Sequence, residues 1–326
     1  MRSNRFSAII LCGACLLPAA YSHAQAVTQL QTTSHGFLSV PVSINGSGPY
    51  SFFFDTGSNR TLVRKELLES LGVASGILVP VHMATGVSYV HQAVASSVAV
   101  AGLAVHDLEI EEIDADQLSK FEGSFQGILG EDFLKHFDIL IDNHAKTLTL
   151  DETSELAHSV TGDRLPLSFS GMRGGQSTTD RLVFDLKLSS SGEAAHFLID
   201  SGANHTFFFP PKPLPFHSRS RHAGTLQTFS GSGRCHIDVV PLEIGKDTLP
   251  AVGLAFCEGM RSNTDVDGTL PTNTFKRLFI SHSGAYAIAN PRLRKPSPGS
   301  PSMSSSGNQQ PAIDTNRNQT GEFCHD

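Results

Sequence analysis

One ten-residue pattern occurs twice in this chain. Phe52-Phe53-Phe54-Asp55-Thr56-Gly57-Ser58-Asn59-Arg60-Thr61 is matched by Phe197-Leu198-Ile199-Asp200-Ser201-Gly202-Ala203-Asn204-His205-Thr206. Each copy has apolar residues, then Asp-[Thr/Ser]-Gly, a small residue, Asn, a variable residue and Thr. The likeness continues on both sides. Upstream, Val40-Pro41-Val42-Ser43-Ile44 leads through Asn45-Gly46-Ser47-Gly48-Pro49, and residues 183–188 lead through Ser189-Ser190-Ser191-Gly192. Downstream, Asp55 to Gly86 is 31 positions and Asp200 to Gly231 is also 31. Farther on stand Gly127-Ile128-Leu129-Gly130 and Gly268-Thr269-Leu270-Pro271, at 72 and 68 positions from their aspartates. A repeat on this scale binds the chain to two like supersecondary units and sets two carboxylates in like surroundings.

The units read as β structure. Apolar–polar alternation over 94–103 and 239–244, broken by frequent Gly turns, has the two-residue period of strands. Thr85-Gly86-Val87-Ser88 and Ser230-Gly231-Ser232-Gly233 read as hairpin tips, since Gly supplies the positive φ such turns need. A short helical stretch is expected after each downstream Gly, over 131–137 and 272–279, followed by strand pairs over 139–150 and 280–289. The fold class is therefore mainly β, with two homologous lobes and one short helix in each.

Two Asp-[Thr/Ser]-Gly loops, each followed by an apolar-apolar-Gly type of segment, resemble the aspartic peptidases. The short lobes are most similar to retropepsin units fused in one chain, a bilobal arrangement of the pepsin and retropepsin superfamily. The resemblance spans roughly residues 37–290. It implies a cleft between two β lobes with Asp55 and Asp200 as the catalytic pair. Thr56 and Ser201 would bond the opposite loop's backbone, and Gly57 and Gly202 would permit close approach. Thr85, Gly86, Ser230 and Gly231 would form flaps over an extended peptide, and no cofactor or metal is implied.

The residue chemistry leads to the same place without the name. Two neighbouring carboxylates cannot both ionise easily, so the pair holds one proton and offers an acid and a base together. Ser58 stands where the second copy has Ala203, and its hydroxyl is expected to donate to a carboxylate and keep Asp55 charged to lower pH. The second copy departs from the first at Thr269 and Pro271, which replace Ile128 and Gly130, and its hairpin tip lacks apolar residues. The rival to a peptidase is therefore a binding module that keeps the cleft without turnover.

Other chemistries find little footing. The net charge of −7 and the 17% charged residues give no basic stripe for nucleic acid. The 15 histidines are scattered without H-E-x-x-H, and His217 and His222 fall in a Pro-rich, polar stretch. No G-x-S-x-G, P-loop or dinucleotide fingerprint occurs, and nothing near Cys235 argues for a thiolate nucleophile.

Residues 1–26 read as an export signal. Arg2 and Arg5 precede an apolar run over 8–17 that is too short to span a membrane, and cleavage is expected after Ala26 or after Ala24. Export would leave Cys235, Cys257 and Cys324, among which a bridge between Cys235 and Cys257 is one option. The expected organisation is signal 1–26, N-terminal lobe 27–152, linker 153–180, C-terminal lobe 181–294 and disordered tail 295–326. The expected state is a periplasmic or secreted monomer acting on a peptide or protein, with no stable membrane span.

Overall fold

A computed structural model describes residues 25–83, 86–119, 124–169, 182–188, 194–209, 222–228, 231–257 and 266–293. Nearly all of the expected signal, the expected tail, the serine turn 189–192, His217 and Cys324 lie outside the described residues.

Two eight-stranded sheets carry most of the chain. From one edge the first runs Gln31–Thr32, Leu38–Ile44, Ser47–Phe54, Gly127–Leu129, Leu62–Arg64, Leu103–Ile113, Gly86–Val100 and Leu78–Met83. The second runs Ser168–Phe169, Leu182–Leu188, Ala194–Asp200, Gly268–Pro271, Thr206–Phe208, Asp247–Cys257, Gly231–Ile244 and His222–Thr228. The strand order is the same in both. This is the mainly β, two-lobed fold that the repeat implies.

Local chemistry explains the key joints. Asn45 and Gly46 both take positive φ, 51° and 76°, and close the hairpin that feeds the Asp55 strand. In each sheet the aspartate strand pairs in parallel with the downstream Gly strand, Phe52 with Gly127 and Phe197 with Gly268. A Cβ at Gly127 would stand 2.3 Å from both the Leu62 carbonyl oxygen and the Phe52 ring. At Gly268 it would stand 2.2 Å from the Phe207 carbonyl oxygen and 2.7 Å from the Phe197 ring. Only glycine lets backbone and ring come that close, so this residue recurs in both copies.

Phe52 and Phe54 face the main core while Phe53 faces a smaller cluster with Leu62, Phe125 and Ile128. The aspartate strand is thus buried on both faces, as its unbroken apolar run requires. The main core is continuous through both halves and includes Phe52, Phe133, Phe184 and Phe197.

A third sheet joins the halves. Its order is Ala26–Gln29, Thr147–Asp151, Asp138–Asp142, Arg277–Ser281, Tyr286–Ala289 and Leu165–Pro166. At its centre Ile139 pairs with Ile280 and Ile141 with Leu278.

Several sequence expectations need correction. The helix after Gly130 covers only Glu131–Leu134, and its counterpart is a 3-10 turn, Thr272–Thr274, with a strand already begun at Arg277. Every residue of 278–280 is buried between two partner strands, and that burial outweighs helix formation. Helices are unevenly shared, since the first half also holds Lys65–Ser70 and Ala115–Leu118. The strand expected over 94–103 breaks at Ala101 and Gly102, a turn with φ of 50° and 91°. His222 opens a strand rather than sitting in a loop. The linker range also carries order: helix Glu155–Ser159 follows an Asp151 carboxylate that accepts from Thr153 and Leu156. Strands Val160–Thr161 and Leu165–Pro166 then pair with Arg292–Leu293 and Tyr286–Ala289.

Candidate functional site

The two Asp-[Thr/Ser]-Gly loops meet where the halves join. The Thr56 N–H donates to Ser201 Oγ at 2.9 Å, and the Ser201 N–H donates to Thr56 Oγ1 at 3.0 Å. Each hydroxyl then donates across to the strand leading into the other loop. Thr56 Oγ1 reaches the Ile199 carbonyl at 2.9 Å, and Ser201 Oγ reaches the Phe54 carbonyl at 2.8 Å. Thr56 and Ser201 are 0% and 3% exposed, so water cannot substitute for these bonds. The result is a closed four-bond lock between the loops.

The lock brings the carboxylates into close quarters. A Cβ on Gly57 would lie 2.6 Å from Cγ and 2.7 Å from Oδ1 of Asp200. A Cβ on Gly202 would lie 2.6 Å from both Cγ and Oδ1 of Asp55. Each carboxylate therefore rests against the glycine of the opposite loop, and the missing side chain is what makes the room. The Gly57 N–H also donates to Asp55 Oδ1 at 2.8 Å. Asp55 is 9% exposed, and its backbone N–H is held by the Leu129 carbonyl at 3.1 Å.

Ser58 does not do what its position suggested. Its hydroxyl donates to the Arg60 carbonyl at 2.7 Å and accepts the Arg60 N–H at 3.4 Å. The loop's own backbone captures this short hydroxyl, as commonly happens to serine in a tight turn. The hairpin ends are placed by Gly86, paired with Met83, and by Gly231, paired with Thr228. Thr85 and Ser230 lie outside the described residues.

Sequence reasoning missed the scaffold around the first loop. The Asp132 carboxylate accepts the Thr61 N–H at 2.8 Å and the Thr61 hydroxyl at 2.6 Å. The Gly130 N–H donates to that same hydroxyl at 3.2 Å, and the Glu131 N–H donates to the Ser58 carbonyl at 2.8 Å. Burial pushes the Asp132 pKa up, against the Thr61 bonds and Arg60, which lower it. The repeated Thr of each ten-residue pattern was the only signal for this latch. Pro271 has no N–H to play the part of Gly130, and Asn273, in the place of Asp132, is exposed.

Residues 40–133 match the family model described as aspartyl protease. The matched range contains Asp55 and the strands Ser47–Phe54 and Gly127–Leu129 that hold it. A retropepsin-like aspartic protease from Rickettsia conorii is a structural neighbour at 18% identity and a TM-score of 0.30, covering 39% of this chain and 90% of its own. No curated protein matches the chain.

Cys235 is disulfide-bonded, and its register partner across the strand pair is Cys257. Cys235 packs with Phe207 and Ala255, beside Ala203 of the Asp200 loop. Among the described residues no group of three or more His, Cys, Asp or Glu is placed to hold a metal. No helix among them is long and apolar enough to cross a membrane.

Proposed function

We propose that the chain is an aspartic endopeptidase with Asp55 and Asp200 as its catalytic pair. The observation that carries this reading is the reciprocal contact of each carboxylate with the opposite loop's glycine, held by the Thr56–Ser201 lock. Two carboxyls so close share one proton. The ionised one takes a proton from a water, whose oxygen forms a bond to the scissile carbonyl carbon. The other donates its proton to the carbonyl oxygen. Collapse of the tetrahedral intermediate breaks the C–N bond as the amine nitrogen takes up a proton, and the pair returns to its singly protonated state. An extended peptide or protein substrate would lie under the hairpins that end at Gly86 and Gly231, adding its backbone as a strand.

Export of a monomer is the setting this reading favours. The disulfide at Cys235 supports an oxidising compartment, and the N-terminal signal supports delivery to periplasm or medium. Ala26 is 8% exposed and pairs with Leu150, so cleavage after Ala24 preserves the strand Ala26–Gln29.

The test is cleavage of a diverse peptide pool by the wild-type chain and by Asp55→Asn and Asp200→Asn, across acid to neutral pH. Cutting by the wild type with both variants inactive supports the pair. A folded wild type that binds peptides and cuts none overturns turnover in favour of a cleft that only binds.

A further inference from the structure

Arg60 follows Asp55 by five positions, on the stretch that runs from the interlobe lock toward the hairpin ending at Gly86. Its carbonyl is pinned by Ser58 Oγ, and a Cβ on Gly130 would stand 2.4 Å from that oxygen. The side chain, 38% exposed, extends toward the strand Leu103–Ile113. There it stands 3.8 Å from Glu109 and 3.7 Å from Glu111. Both separations exceed hydrogen-bond length, and among the described residues the guanidinium makes no hydrogen bond. Gln92 of the hairpin strand Gly86–Val100 completes the wall by donating to Glu109 at 3.1 Å.

Glu111 is unusual in the same place. Its side chain is 6% exposed, yet Oε2 is buried with no hydrogen-bond partner. The second half builds the same sheet without this arrangement. Leu62 pairs with Glu111 where Phe207 pairs with Ala255, and His205 stands in the place of Arg60. The fold therefore does not need the charges, and their presence on one side only points to a ligand.

We infer that Arg60, between the Asp55 loop and the base of its hairpin, is a specificity-determining residue that receives a substrate carboxylate, with Glu111 as its buried neighbour. This inference rests on the peptidase reading. A forked guanidinium with unused donors suits bidentate capture of an aspartate or glutamate side chain. Burial raises the Glu111 pKa to about 7, with Asp132 adding repulsion and Arg60 acting in the opposite sense. The charged groups facing Glu111 are Arg60 and Asp132, with Glu109 and Glu112 on its own strand. Below neutrality Glu111 is uncharged and Arg60 has cationic charge to spare. Above neutrality Glu111 ionises and competes with the substrate.

The experiment uses C-terminally amidated peptides scanned with Glu or Gln at each position around the cut. Free-acid versions of the Gln peptides separate a side chain from a chain terminus as the source of the carboxylate. At one position, Glu is expected to raise kcat/KM about tenfold over Gln near pH 5.5, falling to about twofold near pH 8.5. Arg60→Gln should bring that ratio to about one, Arg60→Lys should keep part of it, and Glu111→Gln should make it independent of pH. A wild-type ratio near one at every position, or a preference surviving in Arg60→Gln, overturns the inference. A preference for free-acid Gln peptides alone overturns the side-chain form. If nothing is cut, the Kd of the same peptides decides. Tighter binding of Glu peptides that Arg60→Gln abolishes sustains the subsite while turnover fails, and equal or absent binding overturns it.

Discussion

Gly57 and Gly202 leave no room for a side chain, because the opposing atoms are the carboxylates themselves. Their backbones are locked by Thr56 and Ser201, so an added methyl must push the opposite carboxylate rather than the loop. Gly57→Ala and Gly202→Ala are each expected to lower kcat about 10²-fold or more, the scale of a misplacement near 1 Å. Comparison of kcat with the thermal midpoint checks this, since a loss of activity from unfolding would lower both. Ser58 leads to a different expectation. Its hydroxyl serves the Arg60 backbone, so Ser58→Ala should leave the acidic limb of the rate profile in place. It should cost roughly 1 kcal/mol of stability, as loss of a single hydrogen bond does. A shifted limb in that variant would restore a direct role for Ser58 at the carboxylate.

At the scale of elements, the first-half helix Glu131–Leu134 and the aspartate loop are fastened by Thr61 and Asp132. Thr61→Val removes the hydroxyl that donates to Asp132 and accepts from Gly130, leaving buried polar atoms short of partners. The expected cost is about 2 kcal/mol, readable as a lower urea midpoint at unchanged slope. Asp132 is the second residue of that helix and also accepts the Phe133 N–H, so one carboxylate ties the helix's first turn to Thr61. The second half shows what its absence does: with Pro271 and an exposed Asn273, only a 3-10 turn forms before the strand resumes. The Asn45-Gly46 hairpin and the paired Gly127 and Gly268 strands were legible from sequence, because turn and close-approach glycines have few substitutes. The ordered pieces of 153–169 were not legible, because their strands of two residues draw on partners far along the chain.

At the scale of the molecule, the halves are tied by more than the loop lock. His282, in the turn after Arg277–Ser281, sets Nε2 2.8 Å from Glu131 Oε2 and Nδ1 2.6 Å from the Phe137 carbonyl oxygen. Burial alone would lower the His282 pKa, but Glu131, the Phe137 carbonyl and Asp138 together raise it. A raised folded value means the pair stabilises fully below the ordinary 6.5 and is lost as pH climbs through the folded value. Glu111 acts in the same direction. Its value rises from 4.5 to about 7, so the folded state is progressively disfavoured as pH rises through that window. Stability to urea is therefore expected to decline from mildly acid to alkaline pH. His282→Gln and Glu111→Gln should each flatten part of that slope. His282→Gln also removes the charged partner of the buried Glu131 and should lower the urea midpoint most at acid pH, where His282 carries its proton. A pH-independent wild-type midpoint would contradict both assignments. At the far acid end Asp142 opposes this trend. Burial would raise its pKa, but its backbone bonds and Arg277 hold it below the usual range, and that stabilisation fades on protonation.

The amino-acid sequence alone determined the repeat, the two aspartates, the mainly β character and the glycines that let strands and loops touch. These follow from local rules, namely strand period, turn conformation and the lack of a Cβ. Tertiary structure alone decided which buried acid meets which partner: Asp132 with Thr61, Glu131 with His282, and Glu111 beside Arg60 with one oxygen unsatisfied. An isolated Glu or His in sequence carries no sign of its burial or of a neighbour 71 or 151 positions away. The choice between helix and strand after Pro271 was likewise set by burial between two sheet neighbours, because packing there outweighs the small differences in intrinsic propensity.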